Sequence, residues 1–187
     1  MKYLIAGLGN IGSEYQNTRH NIGFHVLDAF TKASGTFFKN ERLADVAEVK
    51  HKGRILVLIK PTTYMNLSGK AINYWLQAEK IPVSNLLVLV DDVALPFGAI
   101  RLKGQGSDGG HNGLKNIQEV LGHTNYARLR FGVGNDYPKG GQVNYVLGKW
   151  TTEQLQALPP RTDMAIDAIK AFTTIGLQLT MTQFNKK

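Results

Sequence analysis

The stretch Lys2–Gly12, KYLIAGLGNIG, sets one short apolar run, Tyr3–Ala6, directly against Gly7, Gly9 and Gly12. A run of that length is too short for a signal h-region or a membrane span, and it suits a buried strand running into a tight turn. The glycines spell G-x-G-x-x-G, a dinucleotide-binding pattern that works only when a helix opens at the glycines and lays its N-terminus against a pyrophosphate. Here Ser13–His20 is polar and lacks an apolar stripe, and the helical pattern starts only near Asn21. No acid ends a second strand at the spacing that would hold a ribose hydroxyl. The stretch therefore reads as a strand and a turn, and argues against a nicotinamide cofactor.

Outward from it, apolar runs of the same kind recur at Ile55–Ile59, Leu86–Val90 and Leu129–Val133, each closely followed by Gly, Pro or Asp. Asp45–Lys50 alternates and reads as a partner strand, and Ala99–Lys103 as a short strand leaving the Pro96–Gly98 turn. Between the strands the periodicity predicts helices over Asn21–Ala33, stopped by Gly35, over Ser68–Lys80 with Ser68 as cap, and over Gly113–Leu121. Thr151-x-x-Gln154 has the form of a capping box, followed by a break at Pro159-Pro160 and a longer helix around Met164–Phe172. Strands alternating with helices predict an α/β fold, a three-layer α/β/α sandwich around a mixed, largely parallel sheet. With no internal repeat or low-complexity linker, one domain spans 1–187.

A chain of 187 residues covers roughly 70% of the surface that its unfolded form exposes, so it needs no staples. The absence of cysteine excludes disulfides, a thiolate nucleophile and Cys-ligated zinc, which leaves oxygen or water as any nucleophile. The net charge of +8 favours an anionic partner, although many basic proteins bind nothing acidic. With no leader or spanning segment, the expected location is the cytoplasm, away from membranes.

Five places carry chemistry. His20, in Asn17-Thr18-Arg19-His20-Asn21, is the side chain type best suited to take a proton near neutral pH. Leu86–Val90 ends in Asp91-Asp92, at the strand edge where α/β proteins build sites, so Asp91 serves either to orient an imidazole or to form a turn. Asn66, in PTTYMNLSG, offers an amide for a carbonyl or a water, or merely caps a helix. His111 and Asn112, in the Gly104–Gly113 stretch GQGSDGGHNG, precede a helix N-terminus that favours anions. Lys103 and Arg130, on separate strands, can clamp a phosphate or stand as solvated surface charges. No H-E-x-x-H or comparable ligand set occurs, so no metal is expected.

Taken in order, GLGN, TRHN, PTTYMNLSG, VDD before a Leu-Pro pair, GGHNGLK and RLRFGVG make the chain resemble the bacterial peptidyl-tRNA hydrolase family from about Lys2 to Trp150. The resemblance implies an esterase that releases tRNA from peptidyl-tRNA; no cofactor is expected, and a small single domain of this kind is expected to be a monomer. It implies His20 as the base that activates water, supported by Asp91. Asn10, Asn66 and Asn112 would hold peptide and water or stabilise charge at the carbonyl. Tyr15, Tyr64, Met65 and His111 would line the cleft, and Lys103 and Arg130 would hold the 5′-phosphate region of the tRNA. The chain departs from the family pattern at three positions. Ile11 stands for the usual Pro, Val90 for the usual His or Tyr, and Ala94 for the usual Asp. Ile11 removes a fixed φ from the turn that carries Asn10, and the other two remove polar neighbours of Asp91.

Overall fold

The apolar run behind Met1 becomes strand β1 (Lys2–Gly7), at the middle of the sheet. The computed structural model describes residues 1–187. After β1 the chain forms α1 (Ile22–Ser34), the short β2 (Lys39–Glu41), β3 (Ala44–His51), β4 (Arg54–Pro61), α2 (Ser68–Ala78), β5 (Leu86–Asp92) and β6 (Ile100–Lys103). It closes with α3 (Asn112–Leu121), β7 (Ala127–Gly132), α4 (Gln142–Val146) and α5 (Thr152–Phe184). The strand order is β2-β3-β4-β1-β5-β7-β6. The four inner strands β4, β1, β5 and β7 run parallel, while β2, β3 and β6 add on antiparallel at the edges.

The inner strands are covered on both faces, which is why they read as unbroken apolar runs, whereas β3 alternates buried and exposed positions. Alternation along β1 and β5 divides the core. Ile5, Leu87 and Leu89 pack with Val26, Leu27 and Phe30 of α1 and Ile169 and Phe172 of α5. Leu4, Ala6, Val88 and Val90 pack with Ile72 and Leu76 of α2 and Leu114 and Ile117 of α3. Two helical layers thus enclose the sheet, the α/β/α sandwich that the alternating pattern predicts.

The N-terminal glycines serve packing. A Cβ on Gly7 would lie 2.4 Å from the carbonyl oxygen of Gly23, and one on Gly23 would lie 2.5 Å from the Leu8 nitrogen. The end of β1 and the first turn of α1 therefore touch backbone to backbone, and the glycine turn opens into a single 3-10 turn (Ser13–Tyr15) and no α-helix. Ser68 does not cap α2; its hydroxyl instead donates to the Met65 carbonyl, 2.7 Å away, inside a preceding 3-10 turn. The Thr151 capping box forms with both of its hydrogen bonds, yet the expected break at Pro159-Pro160 does not occur. Both prolines sit on the exposed side of α5, where the carbonyls they cannot serve meet water. The helix is interrupted instead at Gly176, whose φ of 83° and ψ of 171° only glycine adopts readily. Past this break the chain turns back along the sheet. There Asn185 accepts from the Leu102 N–H (2.7 Å) and donates to the Leu102 carbonyl (2.9 Å) on the outer side of edge strand β6.

Candidate active site

The carboxyl ends of the parallel strands converge on one cleft of ≈ 540 Å³. Asn10 follows β1, Met65 and Asn66 follow β4, and Asp91 is the penultimate residue of β5; all four line the cleft. His20 reaches it from the 3-10 turn before α1, and His111 from the position just before α3.

Asp91 is buried and shared. His20 Nδ1 lies 2.9 Å from both of its oxygens, and His111 Nε2 lies 2.8 Å from Oδ1. Burial pushes the carboxyl group up, but attraction to His111 and then His20, with hydrogen bonds from both, outweighs it and holds Asp91 below the usual carboxylate range. An ionised Asp91 accepts a hydrogen bond from the N–H of each ring. His20 then carries its proton on Nδ1, which leaves the Nε2 lone pair without a protein partner. His111 is bonded the other way round: its Nδ1 accepts the backbone N–H groups of Gly113 (3.1 Å) and Leu114 (3.4 Å), which fixes its proton on Nε2. The expected open helix N-terminus at α3 is thus filled by the protein's own imidazole.

The donor atoms of His20, Asp91 and His111 lie within 4.8 Å of one another, close enough to hold a divalent cation. A cation there would have to displace the proton on His111 Nε2, and Nδ1 cannot take that proton up without breaking the α3 cap. The bonding pattern fits a hydrogen-bonded set better than a metal centre.

Asn10 is braced from three directions. Its Oδ1 accepts the Met65 N–H at 2.7 Å, its own N–H donates to Asn21 Oδ1 at 2.9 Å, and its carbonyl accepts from Asn21 Nδ2 at 2.8 Å. The Asn10 amide nitrogen is left to the cleft. Asn21, the brace, was not singled out from the sequence; its place beside His20 in TRHN was the available signal. Asn66 and Asn112 line the same space with exposed side chains.

At the far end, β6 and β7 present cations on one face. Lys103 stands opposite Arg128 and Arg101 opposite Arg130. Lys103, Arg128 and Arg130 line the cleft, with Asp92 3.5 Å from Arg130 Nη1. Burial first, then Arg130 and Arg128, push the Lys103 ammonium down, and Asp92 pulls it back up. Arg128 is tied to the carbonyls of Gly106, Thr124 and Tyr126 and holds the glycine-rich loop in place.

Two residues of the expected lining lie elsewhere. Tyr15 sits half-buried in the turn after Gly12 and Tyr64 is 50% exposed at a φ of 64°, and neither lines the cleft. The left-handed backbone at Tyr64 leaves its ring in solvent, while the next residue, Met65, is buried against the core. Sequence reasoning also gave no element to Gln142–Val146. In the structure it is α4, and its Val143, Val146 and the adjoining Leu147 form an apolar wall of the cleft.

A family model described as peptidyl-tRNA hydrolase matches residues 4–187. Proteins of that name from Phocaeicola vulgatus and Parabacteroides distasonis are 59% and 57% identical over 187 residues, covering all of both chains. One from Chlorobium phaeovibrioides is 43% identical, covering 98% of this chain and 97% of its own. Among solved structures, a peptidyl-tRNA hydrolase from Acinetobacter baumannii superposes with a TM-score of 0.91 at 33% identity, covering 98% of this chain and 94% of that one. No helix of the chain is long and apolar enough to cross a membrane.

Proposed function

The chain belongs to the peptidyl-tRNA hydrolase family and is a carboxylic ester hydrolase acting on peptidyl-tRNA; from that premise we propose how its own residues do the work. His20 is the general base. Its Nε2 takes a proton from water, and the water oxygen attacks the carbonyl carbon of the ester that joins the peptide to the terminal ribose. The tetrahedral intermediate collapses by breaking the bond to the ribose oxygen. That oxygen leaves with the proton held on His20, which gives a free tRNA hydroxyl and a peptide carboxylic acid, and the acid then loses its remaining proton to solvent to become a carboxylate. Asp91 fixes the reactive tautomer of His20 and stabilises the imidazolium while it carries the proton.

The amide nitrogen of Asn10, with Asn66 and Asn112, donates to the peptide and to the charge that develops on the carbonyl oxygen. Met65 and His111 flank the scissile bond, and Lys103 and Arg130 hold a phosphate of the tRNA. Tyr15 and Tyr64, outside the lining, are left to the rim, where they meet substrate beyond the ester. No metal is needed, since the base and its supporting carboxylate are both protein groups. The enzyme works as a cytoplasmic monomer of one domain.

The observation that carries this reading is the one-sided bonding of His20: Nδ1 is held by a buried carboxylate, and Nε2 has no protein partner in a ring that lines the cleft. The test is release of tRNA from N-acetyl-aminoacyl-tRNA in metal-free buffer, with unblocked aminoacyl-tRNA alongside. Cleavage of the blocked substrate alone is expected. Loss of cleavage on chelation would end the metal-free reading, and equal cleavage of both substrates would remove the amides from recognition of the acylated amine.

A further inference from the structure

Arg19, the residue before His20, is a buried cation that no carboxylate answers: it is 7% exposed and takes part in no ion pair. Burying a charge without a counter-charge costs stability, so its contacts should account for it. The guanidinium donates through Nη1 to the Tyr145 carbonyl (3.0 Å) and through Nη2 to Gln154 Oε1 (3.3 Å), and its Nε is buried without a partner. Its plane lies over the Tyr145 ring, 4.0 Å from the centroid, with Trp150 behind at 5.9 Å. The Arg19 backbone N–H donates to the Gly148 carbonyl at 3.0 Å, and Thr18 bridges to Lys149 beside it.

All of these contacts reach α4 or its junction with α5. Helix α4 has five residues and buries only Val146, too little helix or packing to hold itself in place. Val143 and Leu147 stand 66% and 37% exposed where they form the apolar wall facing the catalytic groups. Tyr145 adds one further tether, its hydroxyl donating to the Val133 carbonyl at 2.6 Å.

We propose that Arg19 is a positioning residue that locks the α4 wall to the turn carrying His20, so that the space between wall and imidazole is preset for the peptidyl part of the substrate. The proposal rests on the cleft being the site of the peptidyl ester. Because α4 touches the substrate and not the proton, loss of the lock falls on KM and spares kcat.

The experiment compares the full-length protein with Arg19→Met and Arg19→Lys by backbone amide exchange and by steady-state hydrolysis of N-acetyl-aminoacyl-tRNA. In Arg19→Met the Leu147 and Gly148 amides, bonded to Val143 and Tyr145 carbonyls, should exchange about tenfold faster, with β1 and β5 amides unchanged. KM should rise about tenfold with kcat within about twofold, and Arg19→Lys should recover part of both effects, since it keeps the charge and one donor. Should Arg19→Met not fold, Tyr145→Leu removes the stacked ring from the other side and is expected to show the same split. Unchanged exchange at Leu147 and Gly148, or a fall in kcat at constant KM, overturns the proposal. If the unaltered protein releases no tRNA, the reading of the cleft fails, and the exchange comparison alone still decides whether Arg19 holds α4.

Discussion

Two imidazoles meet one carboxylate from turns on opposite faces of the sheet, and their outer nitrogens are used in opposite ways. His20 turns Nδ1 to Asp91 and leaves Nε2 to the cleft, whereas His111 turns Nε2 to Asp91 and gives Nδ1 to the first N–H groups of α3. The rings are 5.0 Å apart and tilted by 43°, so they share nearly the same surroundings. Which nitrogen faces the carboxylate decides the difference. One ring keeps an available lone pair and can take a proton, while the other has spent its lone pair on a helix and can only donate. A histidine's chemistry here depends on its bonding pattern more than on its distance from Asp91.

The most severe way to break the pairing is His20→Ala. It should lower kcat for N-acetyl-aminoacyl-tRNA by about 10³-fold, the scale of a lost general base, with KM little changed. His111 should not substitute, and turnover near the unaltered level would show that the two rings are interchangeable. Asp91→Asn should come next. The amide oxygen can still accept from both rings, as Oδ1 does, but the NH2 that replaces Oδ2 stands 2.9 Å from His20 Nδ1 and donates to it, which moves the His20 proton to Nε2 and lowers kcat by about 10²-fold. The same variant sharpens the electrostatic side. Asp91 is held below its ordinary value of 3.8, so its stabilisation is complete above that value and is lost as the pH falls through the depressed folded value. Urea unfolding below about pH 4 should therefore weaken the unaltered protein more steeply than Asp91→Asn. The smallest effect belongs to His111→Asn, which keeps an acceptor for the α3 amides and gives up the bond to Asp91. A loss of a few-fold in kcat with stability within about 0.5 kcal/mol is expected, whereas His111→Ala should also cost about 1 kcal/mol for the missing cap. A catalytic loss in His111→Asn as large as that in His20→Ala would erase the distinction.

The inner strands were readable because burial on both faces leaves an unbroken apolar run, and the acid at the end of β5 was readable because its position is set by strand length alone. Edge strand β2, with the exposed residues Lys39, Asn40 and Glu41, offers no such run and was missed. The same holds for α4, whose one buried side chain gives no periodicity. Pro159 and Pro160 misled because a proline's cost depends on whether water can reach the carbonyls it abandons, and exposure is a tertiary property. Gly176 gave no warning, since glycine tolerates helix and break alike. In the candidate site, His20, Asp91, Asn10 and His111 were found as residue types in motifs. The direction of each hydrogen bond was not, nor was Arg19, because both depend on contacts between segments far apart in sequence.

The side-chain amide of Asn185 has a consequence outside the cleft. By accepting from and donating to Leu102, it occupies the free rung of β6 as a neighbouring strand would, with one residue where a strand needs several. The outermost antiparallel edge is thereby closed to a second molecule seeking to extend the sheet. The segment that follows α5 thus covers a backbone rung through which another strand could pair with β6.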